Sequence, residues 1–128
     1  MRILLDTHAL LWWFSDDRYL TRTARKHIAA VENEILVSAA SAWEIATKVR
    51  LGRLPTGREL AENFTDFIAR AGFHILEIGA EHGIRAGSLP GPHKDPFDRM
   101  LIAQAQAEGL VLVSGDVALD GYGVRRLW

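Results

Sequence analysis

The chain of 128 residues has the length of one ordinary domain. With 48% hydrophobic and 24% charged residues it is a globular chain, and the lack of cysteine excludes disulfides, thiol catalysis and thiolate metal sites. The formal net charge of −1 excludes nucleic-acid binding through bulk positive charge. No apolar run can cross a bilayer and the first one breaks at Asp6, so we expect a cytoplasmic protein without a membrane contact.

Short apolar runs alternate with helical patterns along the whole chain. Strands are predicted at 2–5, 35–38, 73–78, 110–114 and 124–127. Helices are predicted at 8–14, from Thr21 or Thr23 to 32, at 39–51 before Gly52, from Thr56 through Ala71, at 81–88, and at 96–108 before Gly109. Continuous apolar strands separated by helices are typical of a covered parallel sheet. We therefore predict an α/β fold, a three-layer α/β/α sandwich with a mainly parallel sheet of four to five strands, as one domain over 1–128.

Four acidic residues stand where such a sheet would bring them together. Asp6 ends the first strand, and Asp116 lies two residues past the strand at 110–114. Glu44 lies in the helix that leaves the second strand, and Asp98 in the first turn of the helix that enters the fourth. Ligands bind at the carboxyl ends of parallel strands, and converging carboxylates repel one another unless a cation is present. The pattern therefore predicts a site for Mg²⁺ or Mn²⁺, the kind that activates water for attack on phosphodiesters.

Structural roles remain open for several of these acids. Glu44 is equally well placed for an exposed pair with Lys48 four residues on. Asp95 fits the N-cap of the next helix, whereas Asp98 shares the inward apolar face of that helix. Asp116, within Ser-Gly-Asp, could be an ordinary turn residue.

Four segments carry a resemblance. They read Ile-Leu-Leu-Asp-Thr-His at 3–8, Ser-Ala-Trp-Glu-Ile at 41–45, Asp-Pro-Phe-Asp-Arg-Met-Leu-Ile-Ala-Gln-Ala at 95–105, and Leu-Val-Ser-Gly-Asp at 112–116. In order and spacing they resemble the PIN-domain ribonucleases, most closely the VapC-type toxins of bacterial toxin–antitoxin pairs. Each segment is weak alone, but the four in register cover essentially the whole chain.

The resemblance implies an endoribonuclease in which metal-activated water attacks the RNA phosphorus in line. It implies supporting roles for Ser114 and Thr7, and a role for Asp95 that varies among subgroups. The implied partners are RNA, a cognate VapB-type antitoxin whose tail enters the active-site groove, and a second copy in a homodimer. The implied catalytic acids, which would also hold Mg²⁺ or Mn²⁺, are Asp6, Glu44, Asp98 and Asp116.

Basic and aromatic residues near these acids suggest further contacts. His93, Lys94 and Arg99 flank Asp98 and are predicted to hold substrate phosphates, although a solvated loop explains them equally well. Trp12 and Trp13 are adjacent in one predicted helix, so they cannot both face the core. We hypothesise that one of them lines a groove for the antitoxin or for dimer contacts. The alternative is that both pack in a small core.

Two other functions compete with RNA cleavage. An aspartate after the first strand is also found in haloacid-dehalogenase-like phosphatases and receiver domains, where Asp6 would be the nucleophile. The phosphatases need a second aspartate two positions on, where this chain has His8. The second rival is a catalytically silent PIN-like module that binds a partner or RNA, and the complete set of four acids argues against it.

Overall fold

Five short strands pair in parallel into one sheet. They are β1 (Arg2–Leu5), β2 (Glu34–Ser38), β3 (His74–Leu76), β4 (Val111–Val113) and β5 (Arg126–Leu127). In the computed structural model, which describes residues 1–128, their spatial order is β3-β2-β1-β4-β5, and every adjacent pair is parallel. The predicted mainly parallel sheet of four to five strands is confirmed.

Helices connect the strands and flank the sheet. They are α1 (Thr7–Ser15), α2 (Arg22–Ala29), α3 (Ala39–Arg50), α4 (Arg58–Glu62), α5 (Phe64–Arg70), α6 (Ala80–Ser88) and α7 (Pro96–Glu108). Two 3₁₀ segments, Pro55–Gly57 and Val117–Tyr122, complete the fold, and neither was predicted. None of the helices combines the length and apolar character that a membrane span requires.

Side chains of the central strand β1 alternate between two hydrophobic cores. Ile3 and Leu5 belong to the larger core, while Leu4 packs into the smaller one with Leu101 and Ile102 of α7. All five side chains are essentially inaccessible to solvent. Full burial of such a side chain stabilises the fold by roughly 1.5–3 kcal/mol, so both faces of β1 fix the position of its carboxyl end.

The single helix predicted from Thr56 through Ala71 is wrong. The chain instead forms a 3₁₀ turn and the two short helices α4 and α5, which Asn63 separates with φ −128° and ψ 31°. The Asn63 side chain donates a hydrogen bond to the carbonyl of Glu59 at 3.1 Å. Such a local side-chain bond competes with continued helix, and propensity patterns do not detect it.

Smaller differences concern the ends of elements. Thr21, not Thr23, caps α2 by accepting a hydrogen bond from the Ala24 amide at 3.0 Å, and this helix ends before the predicted residue 32. Strand β3 is shorter than the predicted 73–78. The terminating positions Gly52 and Gly109 have φ of +71° and +64°, as a helix end with glycine requires.

Candidate functional site

Asp6 follows β1 directly and forms the N-cap of α1. One of its carboxylate oxygens accepts a hydrogen bond from the Ala9 amide at 2.7 Å, and the residue is only 7% exposed. Burial raises the pKa of Asp6, and the charge of Asp98 raises it further. The Ser114 hydroxyl, the Ala9 amide and His8 act in the opposite direction. Asp6 is therefore a buried carboxylate whose ionisation is opposed by the charge of a second carboxylate, that of Asp98.

Asp98 lies in the first turn of α7, where Asp95 forms the N-cap. Asp95 accepts hydrogen bonds from the amides of Phe97 at 2.9 Å and of Asp98 at 3.2 Å. Burial raises the pKa of Asp98, and the charges of Asp95 and Glu44 add to this effect. The His93 ring lowers it, since its Nε2 lies 2.8 Å from Asp98 Oδ2. Asp98 is thus the acid to which the others are coupled.

Glu44 combines the two roles that the sequence left open. It is buried, with 5% of the residue exposed, yet its carboxylate pairs with Lys48 Nζ at 2.5 Å. The helix that carries it is tied to α1 by a buried hydrogen bond of 2.9 Å between the hydroxyls of Thr7 and Ser41. Thr7 therefore positions α3, and with it Glu44, relative to the helix that Asp6 caps.

Asp116 is the exposed member of the group. It lies at the start of the second 3₁₀ segment. The Asp116 amide donates a hydrogen bond of 3.1 Å to the hydroxyl of Ser114, and Ser114 is fully buried. One ligand atom each from His93, Asp98 and Asp116 lies within 4.8 Å of the others. Ser114 thus links the turn that carries Asp116 to the carboxylate of Asp6.

The structure brings all four predicted acids to one edge of the sheet. Asp98 is coupled by charge to both Asp6 and Glu44, and Asp116 lines the same cavity as Asp6. Carboxylate oxygens suit Mg²⁺ and Mn²⁺, and burial together with the charges of neighbouring carboxylates raises the pKa of Asp6 and of Asp98. The donor set therefore fits a hard divalent cation, which would favour the ionised forms.

Of the three basic residues predicted to bind phosphate, Arg99 is occupied elsewhere. Its guanidinium donates hydrogen bonds to the carbonyls of Ala86 at 3.0 Å, His93 at 2.9 Å and Leu89 at 2.5 Å. This geometry favours a role in holding the loop before α7. His93 points at Asp98 as described, and Lys94 is exposed beside it.

Trp12 and Trp13 point in different directions from α1. Trp12 lines a cavity together with Asp6 and Asp116. Trp13 packs against Phe73, with ring centroids 6.0 Å apart. Both tryptophans are partly buried against the larger core, so only Trp12 combines a core contact with a place at the acidic site.

Sequence reasoning missed two aromatic residues beside the site. The Tyr122 hydroxyl accepts a hydrogen bond from the His93 amide at 3.1 Å, and Trp128 lies 5.8 Å from Trp12 between ring centroids. A Cβ added at Gly115 would come within 3.0 Å of the Trp128 ring, so the glycine in Ser-Gly-Asp permits this close approach. That glycine was the one available signal, and it did not identify the partner.

Comparisons with known proteins identify the family and the fold of the chain. The family model "PIN domain" matches residues 3–124. Ribonuclease VapC22 of Mycobacterium tuberculosis is 27% identical over 123 residues, which are 94% of this chain and 91% of that protein. A chain of VapBC2 from Rickettsia felis, bound to a DNA fragment from its promoter, superposes with a TM-score of 0.72 at 16% identity over 98% of this chain and 97% of that one. A chain of a toxin–antitoxin complex from Klebsiella pneumoniae superposes with a TM-score of 0.57 at 20% identity over 89% and 86%. The chain belongs to the PIN domain family, as its four segments predicted.

Proposed function

We propose that this chain is a metal-dependent endoribonuclease and the toxin of a toxin–antitoxin pair. One observation carries the proposal: in a PIN domain, Asp98 is coupled to Asp6 and Glu44 by charge and to Asp116 by distance. The relative named ribonuclease VapC22 matches nearly the full length of the chain and supports the same activity. We also propose that the chain acts in the cytoplasm, where cellular RNA is found.

The same four acids, Asp6, Glu44, Asp98 and Asp116, would hold Mg²⁺ or Mn²⁺. When bound, the cation would activate water and offset charge on the phosphodiester. The chain itself supplies the placement of the ligands. Ser114 and the Ala9 amide favour the ionised form of Asp6, Asp95 fixes the first turn of α7, and Thr7 holds α1 against α3.

The loop before α7 is proposed to contact substrate. Lys94 is exposed there, four positions before Asp98 in the chain, and its ammonium group suits a phosphate. His93 is placed among the acids, and Arg99 acts on substrate only through the loop carbonyls that it holds. We therefore assign direct phosphate contact to Lys94 alone.

The test compares wild type with Asp98→Asn and Asp6→Asn on single-stranded RNA with and without Mn²⁺. We expect each variant to lose at least ~100-fold in cleavage rate, because supporting residues of metal sites already cost about 10–100-fold. Circular dichroism should show an intact fold. Asp120→Asn, an exposed acid paired with Arg126, should cleave like wild type.

Three outcomes would contradict the proposal. Metal-independent cleavage, or equal cleavage by Asp98→Asn, would remove the metal site from the reaction. A phosphoryl group trapped on Asp6 would indicate the phosphatase chemistry instead. Absence of cleavage by the wild type, with RNA or partner binding intact, would indicate a silent module.

An antitoxin segment is proposed to occupy a groove of about 360 Å³ between α1 and α4–α5, which shares His8 and Trp12 with the cavity beside Asp6 and Asp116, so the tail of the antitoxin would extend toward the acidic site. Its walls are apolar, with Leu11, Phe14 and Phe67, and acidic side chains of Asp17 and Glu59 line it as well. This chemistry fits an apolar segment with basic residues. Glu59→Lys should weaken binding of the antitoxin, measured by calorimetry, and leave cleavage unchanged.

A second copy of the chain is proposed to cover the face formed by α3, α6 and α7. Trp43 is 60% exposed there and Ile78 is 39% exposed, around an apolar hollow of about 210 Å³. Exposed apolar patches of this kind mark interfaces, and two-fold dimers bury the same patch on both copies. In sedimentation experiments, wild type should be a dimer and Trp43→Ser a monomer. A wild-type chain that sediments as a monomer would contradict this.

A further inference from the structure

An aromatic cavity of about 410 Å³ opens directly beside the acidic site. Asp6, Asp116 and the glycine between Ser114 and Asp116 form one part of its wall. The rest is aromatic and consists of His8, Trp12, Tyr19 and Trp128. The cavity therefore joins two of the proposed catalytic acids to a group of rings, a combination that packing alone does not require.

The four rings form one connected cluster around Trp12. His8 stacks on Trp12 with centroids 5.5 Å apart and an interplanar angle of 26°. The Tyr19 and Trp128 centroids lie 5.6 Å and 5.8 Å from that of Trp12. His8 is exposed and Tyr19 is 65% exposed, so the cluster presents ring surface to solvent.

Trp128 fixes the cluster to the acidic turn. Its ring packs so closely on Gly115 that a Cβ at this position would approach Cε2 to 3.0 Å. Arg126, two residues before it, donates a hydrogen bond to the Ser114 carbonyl at 3.0 Å. The rings and the carboxylate of Asp116 are therefore held in a defined relation to each other.

Affinity for RNA must come from somewhere other than these acids. Carboxylates repel phosphates, and the chain as a whole has a net charge of −1. Aromatic rings bind nucleobases without charge, with about 1–3 kcal/mol for each stacked base, and they require the base to be unpaired. The exposed rings of this cavity would supply affinity for a base next to the acids, where the phosphodiester would lie.

We propose that His8, Trp12, Tyr19 and Trp128 form a stacking site for an unpaired nucleobase adjacent to the phosphodiester that is cleaved. The inference rests on the proposed ribonuclease activity and adds a binding subsite to it: an aromatic cavity beside Asp6 and Asp116 that receives one base. Tyr19 is the most informative member, because a ring 65% exposed contributes little to the core and is free to receive a base.

The experiment measures binding of a short fluorescent single-stranded RNA to an Asp98→Asn parent, which binds without cleaving and leaves the cavity wall intact. Tyr19→Ala and Trp12→Leu, each added to this parent, should weaken binding by about 10-fold. Trp13→Leu is the matched control, since Trp13 is the next residue of the same helix but packs against Phe73. It should leave the dissociation constant unchanged.

Abasic RNA connects the loss to a base. An RNA series with one base removed at each position in turn should include one position that weakens binding to the parent. The same abasic RNA should bind Tyr19→Ala no more weakly than intact RNA does. Duplex RNA of the same sequence should not distinguish the parent from Tyr19→Ala.

Several results would overturn the stacking site. These are unchanged RNA binding by both Tyr19→Ala and Trp12→Leu, an equal loss for Trp13→Leu, or a loss of antitoxin binding alone. Cleavage by otherwise wild-type Tyr19→Ala at the wild-type rate under subsaturating RNA would also refute it while the ribonuclease stands. Failure of the wild-type chain with Mn²⁺ to cleave any RNA would instead refute the proposed function.

Discussion

Carboxylates in two parts of the molecule have opposite electrostatic surroundings. Asp120 is exposed in the second 3₁₀ segment, and the Arg126 guanidinium donates hydrogen bonds to both its oxygens, at 2.7 and 3.1 Å. This pairing lowers the pKa of Asp120. At the sheet edge, burial raises the pKa of Asp6 and of Asp98, and neighbouring carboxylates raise both further. The surface acid is paired with an arginine, whereas no lysine or arginine forms an ion pair with Asp6 or Asp98.

The basic residues near the site explain this difference. Arg99 follows Asp98 in the chain, but its guanidinium is bound to three backbone carbonyls. Lys48 pairs with Glu44 and leaves the other acids uncompensated. Converging carboxylates with raised pKa values in a cleft are typical of functional sites. At this site, a bound external cation would balance their negative charge.

Replacement of Arg99 is expected to have the largest effect on stability. Arg99→Gln removes charge-assisted hydrogen bonds to the carbonyls of Ala86, Leu89 and His93, and a glutamine cannot reach all three. We expect the free energy of unfolding to fall by roughly 2–4 kcal/mol, as measured by urea denaturation.

Lys94→Gln is the control for this substitution, because Lys94 is exposed in the same loop. It should retain wild-type stability and weaken RNA binding. If Arg99→Gln were instead as stable as wild type and bound RNA poorly, Arg99 would be a phosphate contact, as the sequence first suggested. The guanidinium of Arg99 would then bind a phosphate of the RNA rather than the carbonyls of the loop.

Addition of Mn²⁺ is expected to have the next largest effect. At about a hundred times its dissociation constant, a ligand of the folded state stabilises it by about 2.7 kcal/mol, which is on the order of 10 °C in Tm for a domain of this size. Differential scanning calorimetry should show this shift in wild type and in Asp120→Asn. Asp98→Asn should lose it, and an equal shift in that variant would place the cation elsewhere.

The sequence predicted the acidic edge because its signals are local. An apolar strand that ends in Asp6, and a second that ends two residues before Asp116, are visible without knowledge of the fold. A parallel sheet then brings these ends together, as β1 and β4 do here. Glu44 was undecided because helical spacing describes its pair with Lys48 and not its depth of burial.

The parts that escaped prediction depend on distant pairs. Arg99 was predicted to bind phosphate because it follows Asp98 in the chain. Its observed role depends on carbonyls of α6 and of a loop, which local sequence does not place beside it. Trp128 lies beside the acidic turn only because β5 pairs with β4, which no local pattern reveals. The break at Asn63 arises from a single side-chain hydrogen bond inside an otherwise helical pattern.

The smallest effect tests the sign of the electrostatics directly. Without metal, Asp6→Asn is expected to raise the free energy of unfolding at neutral pH by about 0.5–2 kcal/mol, the range of single stabilising substitutions, because it removes a buried charge beside Asp98. Asparagine is as good an N-cap as aspartate, so the hydrogen bond from the Ala9 amide is kept and the change removes mainly the buried charge.

The dependence on pH follows from the raised pKa of Asp6. The ionised form is disfavoured in the folded state, so its cost is fully present above the folded pKa. That cost declines as the pH falls through this pKa and vanishes below the ordinary aspartate value of about 3.9, where Asp6→Asn and wild type should have the same stability.

Asp120→Asn should behave in the opposite way, because the lowered pKa of Asp120 makes wild type more stable than the variant above the unfolded pKa. That advantage is lost as the pH falls through the folded pKa. Chemical denaturation across this range, with a chelator present, distinguishes the two, and a destabilised Asp6→Asn at neutral pH would show that the protein compensates the Asp6 charge by itself.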